Sequence, residues 1–348
     1  MVKENNKFPQ AGRLDVPQET EEEFVFNLSL RPRGLSEFVG QRDNISSLKI
    51  AIEAAKKRSE PLEHLLLSGP PGLGKTSLAH CVSNELSSKI VATSGPAIER
   101  AGDLIGILTN LERGDILFID EIHRLSKIVE EFLYPAIENF QIDFVIDKGP
   151  YAKSIKFNLK PFTLIGATTR EGLLSAPLRS RFGLFLHFDF YSENDLSLVI
   201  ERSSKLLSVS IDKQSALEIS RRARGTPRIA NRLLRRVRDY SQVKEEGLIK
   251  PETVGKALDF LKIDGKGLDE LDRKYLKVLI DIYQGGPAGV EPISASLGEE
   301  PDTLIDVVEP YLLKIGFIKR SPRGRVALET AYRHLGIDYS KEVQDRLF

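Results

Sequence analysis

Hydrophobic positions follow two rhythms along the first 190 residues. Ile45, Leu48, Ile52 and Ala55 recur at helical spacing, which predicts an amphipathic helix over 44–57. Short apolar runs come next at 64–67, 89–93, 115–120, 162–167 and 184–188, with helical patterns between most of them. Strands that alternate with helices predict a parallel sheet with helices on both faces. Between the third and fourth of these runs, 142–146 and 154–159 alternate apolar and polar residues around Lys148-Gly-Pro-Tyr-Ala-Lys153, the pattern of an inserted β-hairpin.

The rhythm changes after Phe190. The pattern is helical through about Leu261, and Gly265 and Gly267 punctuate it. Beyond them lie a helix near 269–283, a Gly-Gly-Pro break, a helix near 302–315, and a hairpin in FIKR-SPRG-RVAL. Helices succeeded by such a hairpin are the order expected of a winged helix. Residues 1–23 are polar and Glu-rich without periodicity, which reads as a disordered arm. These patterns divide the chain into an arm at 1–23, an α/β domain at 24–190, a helical domain at 191–264, a winged helix at 265–336 and a tail at 337–348.

Composition narrows the classes. With 50 basic and 50 acidic residues the net charge is zero, so any hold on nucleic acid must come from local patches. No apolar run approaches the roughly 18 residues that span a bilayer. The N-terminus MVKENNKFPQ lacks the apolar core of a secretory signal. The single cysteine, Cys81, cannot form an intramolecular disulfide, and a reducing cytoplasm is the expected location. His64, His123, His187 and Cys81 show no metal-ligand spacing and are expected in core or surface roles.

The chemistry concentrates in three strand ends. Gly69-Pro-Pro-Gly-Leu-Gly-Lys75-Thr76 fits the phosphate-binding loop G-x-x-x-x-G-K-[ST], placed after a strand and before a helix. Its glycines, Gly72 and Gly74 among them, let backbone N–H groups close around phosphates, and the helix N-terminus adds partial positive charge. Lys75 is expected to reach the β- and γ-phosphates of ATP, and the Thr76 hydroxyl to ligate Mg²⁺. Ser77 continues the same phosphate-side set. Asp115-Ile-Leu-Phe-Ile-Asp120-Glu121 is an apolar strand that ends in two carboxylates. Asp120 is suited to help hold magnesium and Glu121 to polarise the attacking water. Leu164-Ile-Gly-Ala-Thr168-Thr169 ends in hydroxyls able to orient that water.

GPPGLGKT, ILFIDEIHR, TLIGATTR, PLRSRFG and GTPRIANRLLRRVRD, in this order and spacing, resemble the RuvB family of AAA+ Holliday-junction branch-migration ATPases. LRP near residue 30 and SPRGR near 323 extend the resemblance, which covers roughly residues 28–336. It implies an α/β AAA+ core with a parallel sheet, a helical lid and a C-terminal winged helix, assembled as a homohexamer on double-stranded DNA. It also implies roles that spacing alone does not reveal. Leu30 and Arg31 look like adenine-side contacts, with Tyr191 beside the nucleotide. Thr169 resembles sensor 1, and Thr168 is the alternative. Arg228 is similar to the sensor-2 arginine of the lid, and Arg181 to the arginine finger that completes a neighbouring subunit's site. Glu138, Asn139 and Phe140 match a further nucleotide-associated segment, although Asn139 departs from the aspartate of that pattern.

The resemblance implies that the hairpin at 142–160 docks a RuvA-like junction-binding protein, and it leaves room for a RuvC-like resolvase. The other reading of the same core and winged helix is an initiator or clamp-loader-type switch, which loads another ring without translocating. Residues 221–238 carry Arg221, Arg222, Arg224, Arg228, Arg232, Arg235, Arg236 and Arg238. Some are expected to face nucleotide or an adjacent subunit, and DNA contact is the alternative. Lys319, Arg320, Arg323 and Arg325 cluster on the wing hairpin and are expected to grip phosphates, giving sequence-independent binding. Asp302, Asp306 and Glu309 on the preceding helix are expected to repel phosphates and so to keep it out of the major groove.

Overall fold

The computed structural model describes residues 29–146, 153–245 and 247–339. The expected arm at 1–23, the hairpin tip with Pro150 and Tyr151, and tail residues 340–348 lie outside them. The chain forms two compact units, one of residues 31–191 and one that joins Leu30 to the residues from Ser192 onward.

The first unit begins with helix α1 (Arg42–Arg58), whose buried face is Ile45, Leu48, Ile52 and Ala55. Five parallel strands build its sheet: β1 (Leu65–Ser68), β2 (Ile90–Ser94), β3 (Ile116–Asp120), β6 (Thr163–Thr168) and β7 (Leu184–His187). Their order across the sheet is β2-β3-β6-β1-β7. β1 and β6 are buried at every position, as the inner strands of a sheet covered on both faces must be. Helices α2 (Lys75–Leu86), α3 (Ala101–Thr109) and α4 (Lys127–Asn139) make the crossovers. Leu117, Ile119, Phe162 and Leu164 pack with Leu133, Ile137 and Phe182 in the core. Truncating a ring such as Phe162 to alanine should cost about 3–5 kcal/mol. Because all five strands run the same way, the loops after β1, β3 and β6 emerge on one edge.

The inserted hairpin is β4 (Gln141–Ile146) paired antiparallel with β5 (Lys153–Asn158), with Ile142 opposite Phe157. Ile142 is buried in the core and Phe157 is exposed, so the hairpin is rooted at its base.

The second unit starts with four helices, α5 (Glu193–Leu206), α6 (Lys213–Arg221), α7 (Pro227–Lys244) and α8 (Pro251–Phe260). Ser192, Asp212 and Thr226 cap the first three by accepting from Asp195, Ser215 and Ile229 backbone N–H groups. A winged helix completes the unit. It comprises α9 (Glu270–Lys277) with a π-helical continuation (Val278–Ile282), α10 (Val290–Leu297), α11 (Glu309–Lys314), hairpin β8 (Ile318–Ser321)–β9 (Gly324–Ala327) and α12 (Glu329–Leu335).

The helix expected near 302–315 is a composite. A π-helical stretch, Leu304–Val308, precedes α11. Pro310 explains it: proline lacks an N–H and its ring crowds the carbonyl four residues back, so the ladder widens just before it.

Arg224 joins the four helices to the winged helix. It is 2% exposed, in the left-handed region at φ 53°, and its guanidinium lies 2.5 Å from Asp272 and 3.0 Å from Asp269. Its Nε donates to the Gly267 carbonyl at 2.7 Å. One member of the arginine-rich segment is therefore structural.

Candidate functional site

Loop 69–76 runs from the end of β1 into the first turn of α2. Gly69 sits at φ 132°, and a Cβ there would lie 2.4 Å from the Phe188 carbonyl oxygen, so only glycine fits. Lys75 is buried, and its ammonium donates to the Gly69 and Pro70 carbonyls at 2.7 and 2.8 Å, which aims it over the loop. One residue on, Thr76 Oγ1 donates to Asp120 Oδ2 at 3.2 Å. The hydroxyl and the carboxylate thus converge from α2 and β3, a hard oxygen pair of the kind magnesium prefers.

Asp120 Oδ1 accepts from the Glu121 N–H at 2.9 Å, and Glu121 adopts a left-handed conformation, φ 45° and ψ 44°. This conformation costs a non-glycine residue on the order of 1–2 kcal/mol, and such strain clusters at functional turns. Its carboxylate meets Arg124 Nη1 at 3.1 Å with both side chains well exposed. At the end of β6, the buried Thr168 hydroxyl is committed to His123 Nδ1 at 2.9 Å and to the Arg170 N–H at 3.0 Å. Thr169, the next residue, is half-buried at the same edge.

Tyr191 closes one side of the loop. Its hydroxyl donates to the Leu73 carbonyl at 3.2 Å, and its ring covers Gly40, where a Cβ would lie 2.5 Å from it. Phe38 also reaches the loop, 3.3 Å from where a Gly74 Cβ would stand. Sequence reasoning missed Phe38, and the only hint was an aromatic residue shortly before Gly40. His80 on α2 has a lowered pKa, first because it is desolvated and then because of the Arg31 charge. Leu30 and Arg228 belong to the second unit. The Leu30 carbonyl accepts from Arg202 at 2.8 Å, and Arg228 stands exposed in the first turn of α7.

A second group gathers at the other end of the strands. Arg181 donates to the Pro177 carbonyl at 2.6 Å, meets Glu138 at 3.0 Å and lies 4.4 Å over the Tyr134 ring. Just after it, the Gly183 and Leu184 N–H groups donate to the His64 carbonyl, at the start of β1. Phe140, beside Glu138 and Asn139, packs its ring against His64 and Phe162. Arg181 and the 138–140 segment therefore share one surface, roughly 13 Å from the loop edge at about 3.3 Å per strand residue. The structure does not bring them to the loop of their own chain. Phe140 is half-buried against the core, beside the exposed Glu138 and Asn139.

The wing needs a correction. Glu309 is fully buried and accepts from Arg320 Nη2 at 2.7 Å, Arg325 Nε at 2.8 Å and the Tyr275 hydroxyl at 3.1 Å. Burial and this carboxylate push the Tyr275 phenol well above its usual range. Glu309 therefore faces no phosphate, and Arg325 is held inward with a side chain 17% exposed. Arg320 shares the carboxylate but remains 47% exposed. Lys319 and Arg323 are exposed on the wing and its turn. Arg221 and Arg222 both bond to Glu218 on their own helix.

A phosphate-loop strand, an Asp-Glu strand end and a hydroxyl-bearing strand end on one edge, succeeded by a capped helical domain and a winged helix, define a P-loop ATPase of the AAA+ type. Residues 30–188 match the family described as the Holliday junction DNA helicase RuvB P-loop domain. Residues 191–264 match the RuvB AAA lid domain, and 265–336 the RuvB C-terminal winged helix domain. The Holliday junction branch migration complex subunit RuvB of Desulfosudis oleivorans is 56% identical over 322 residues, 92% of this chain and 94% of that protein. The same-named subunit of Ligilactobacillus salivarius is 56% identical over 314 residues, 90% and 94% of the two chains. The solved Thermotoga maritima RuvB Holliday junction branch migration motor is 52% identical, with a TM-score of 0.83 over 90% of this chain and all of that one. The chain belongs to the RuvB family.

Proposed function

We propose that this chain is an ATP-driven DNA motor that migrates Holliday junctions in recombination and repair, working as a homohexamer on double-stranded DNA. The observation that carries the reading is the run of three RuvB family matches, in order, over 30–336, with the nucleotide residues assembled on one sheet edge. No helix among the described residues is long and apolar enough to cross a membrane, and a cytoplasmic location fits the reading.

Lys75 and the loop N–H groups bind the ATP phosphates, and Tyr191 bounds the nucleotide. Thr76 and Asp120 would hold Mg²⁺, which neutralises charge on the phosphate oxygens when bound. Glu121 accepts a proton from the attacking water, and Thr169 orients that water. Arg228 approaches the γ-phosphate from the lid. Arg181 faces away from its own loop, which suits a finger supplied to a neighbouring subunit and makes hydrolysis depend on assembly. The exposed wing positions Lys319 and Arg323, with Arg320, contact the DNA backbone. The hairpin at 142–160, which carries the exposed Phe157 near its base, docks a RuvA-like partner, and a RuvC-like resolvase fits the same assembly.

The test is strand exchange on a synthetic four-way junction with ATP and Mg²⁺, with and without a RuvA-like protein. Wild type should move the junction, and Glu121→Gln should bind ATP while turnover falls by about 10²–10⁴-fold. DNA-stimulated hydrolysis without junction movement would favour a loader-type switch instead.

A further inference from the structure

His123 is one of the histidines that carry no metal-ligand pattern, yet its place in the fold is specific. β3 and β6 are neighbours, and their last registered pair is Ile119 with Gly166. Beyond it β3 turns away through Glu121, while β6 continues to Thr168. The two strand ends that carry the hydrolytic residues therefore have no ladder bond holding them together. Side-chain contacts span the opening. Ile122 sits on Gly166, where a Cβ would come within 3.0 Å of its Cδ1, and His123 Nδ1 meets Thr168 Oγ1 at 2.9 Å.

The Thr168 hydroxyl accepts from the Arg170 N–H at 3.0 Å, across the bend that contains Thr169. The same hydroxyl keeps its proton and a second lone pair, so it bonds His123 Nδ1 in either direction, as the imidazole tautomer dictates. The chain of bonds then runs from the Arg170 backbone through Thr168 to the turn that carries Glu121, each link polarising the next. Glu121 itself sits in a left-handed conformation that needs outside support to persist. Gly95 supplies part of that support, because a Cβ there would lie 2.4 Å from the Glu121 carbonyl oxygen.

We propose that His123 is a positioning residue: it ties the turn bearing Glu121 to the strand end bearing Thr169, and the rate of hydrolysis, rather than nucleotide affinity, depends on the tie. The inference rests on the reading of Glu121 and Thr169 as the water-handling pair. A misplacement of about 1 Å at such a pair can cost about 10²-fold in rate.

The experiment uses the full chain and measures the single-turnover hydrolysis rate, the affinity for a fluorescent ATP analogue and the melting temperature. His123→Ala and Thr168→Val should each slow hydrolysis by about 10–100-fold with nucleotide affinity unchanged. His123→Asn, whose side-chain amide can accept or donate in place of Nδ1, and Thr168→Ser should recover most of the rate. The double variant His123→Ala/Thr168→Val should be no slower than either single variant, since both break one link. Wild-type rates in His123→Ala, additive losses in the double variant, or parallel loss of affinity that His123→Asn does not repair would each overturn the tie. If His123→Ala does not fold, Thr168→Val keeps the buried shape and decides the matter by the same readouts. Glu121→Gln is the separate control. Full turnover there would sink the catalytic reading itself, whereas an inactive Glu121→Gln beside a fully active His123→Ala would sink only the role of His123.

Discussion

Glu138 and Glu309 each hold arginine, and they hold it differently. Glu138 meets Arg181 at 3.0 Å with the two side chains 47% and 20% exposed. Water can reach Glu138 and replace it, so although the arginine is largely covered the pair is worth only about 1 kcal/mol. The Tyr134 ring beneath the guanidinium adds about 0.5–1 kcal/mol. Glu309 is fully buried, with Arg320, Arg325 and Tyr275 around it. Losing its donors would strand a charge in the interior, so that cluster stays closed. The difference separates an arginine parked where it can change partners from arginines built into a framework. The first kind suits the proposed role of Arg181 at a neighbour's phosphate.

The largest effect should come from the parked arginine. Arg181→Ala should lower hydrolysis on the order of 10³–10⁵-fold, the range of arginine fingers, while unfolding free energy changes by no more than about 2 kcal/mol. Mixing it with Lys75→Ala chains should restore part of the activity, because a mixed ring can face an intact loop with an intact finger. Steady-state ATPase across mixing ratios, alongside urea denaturation, reads both. A stability loss as large as that expected for Glu309 would erase the contrast between the two glutamates.

Glu309→Ala should act through folding. Leaving Arg320 and Arg325 without the buried carboxylate should cost about 3–5 kcal/mol, seen as a lower denaturation midpoint for the lid and winged-helix unit. An unchanged midpoint would mean that the cluster is as exchangeable as the Arg181 pair.

Sequence pattern read the fold well where one period governs. The buried strands announce themselves as apolar runs, and the nucleotide residues are contiguous in 69–76 and 115–121, so neither needs tertiary knowledge. It failed where the period breaks. The π-helical stretch Leu304–Val308 adds a residue to the turn, which rotates every later position of the helix by about 100°. Spacing from Asp302 and Asp306 therefore cannot place Glu309, and a residue expected to face phosphates is the most buried acid of the wing. Phe38 was missed for another reason: its contact with the loop is made by chain folding between segments distant in sequence. The grouping of Arg181 with Glu138 was equally invisible, since nothing in either motif mentions the other.

The wing offers a smaller, graded test of the same contrast. Lys319→Ala and Arg323→Ala together should lower the log–log salt slope of DNA binding by about two, at roughly 0.9 per phosphate contact, with stability unchanged. Arg325→Ala should do the reverse, lowering stability and leaving the slope of the folded fraction alone. Fluorescence anisotropy across a salt series decides, and an unchanged slope in the double variant would move the DNA contact off these two residues.

The smallest effect concerns the end of the sheet where Arg181 is parked. His64 lies in front of β1; its Nε2 bonds the Ile137 carbonyl of α4 at 2.9 Å, and its Nδ1 accepts from the Leu164 N–H at 2.9 Å. An imidazole that accepts on one nitrogen and donates from the other is neutral. Burial keeps it so, holding its pKa below the ordinary value of 6.5, with the Ile137 bond and the Glu63 charge opposing more weakly. Linkage sets the sign of the pH dependence. Above pH 6.5 both folded and unfolded chains carry neutral His64, and its full contribution is present. As pH falls below 6.5 the unfolded chain binds a proton that the folded chain resists, so stability is lost down to the depressed folded pKa. The slope from one such group cannot exceed about 1.4 kcal/mol per pH unit. His80 has the same sign, so the wild-type curve sums at least these two groups. His64→Gln keeps a donor for the Ile137 carbonyl but cannot titrate, and should flatten the curve between pH 6.5 and the folded pKa without removing all of it. Denaturation of wild type and His64→Gln across this window measures the difference. Parallel curves would mean that His64 is not held neutral, and that the end of the sheet carrying Arg181 is looser than its hydrogen bonds imply.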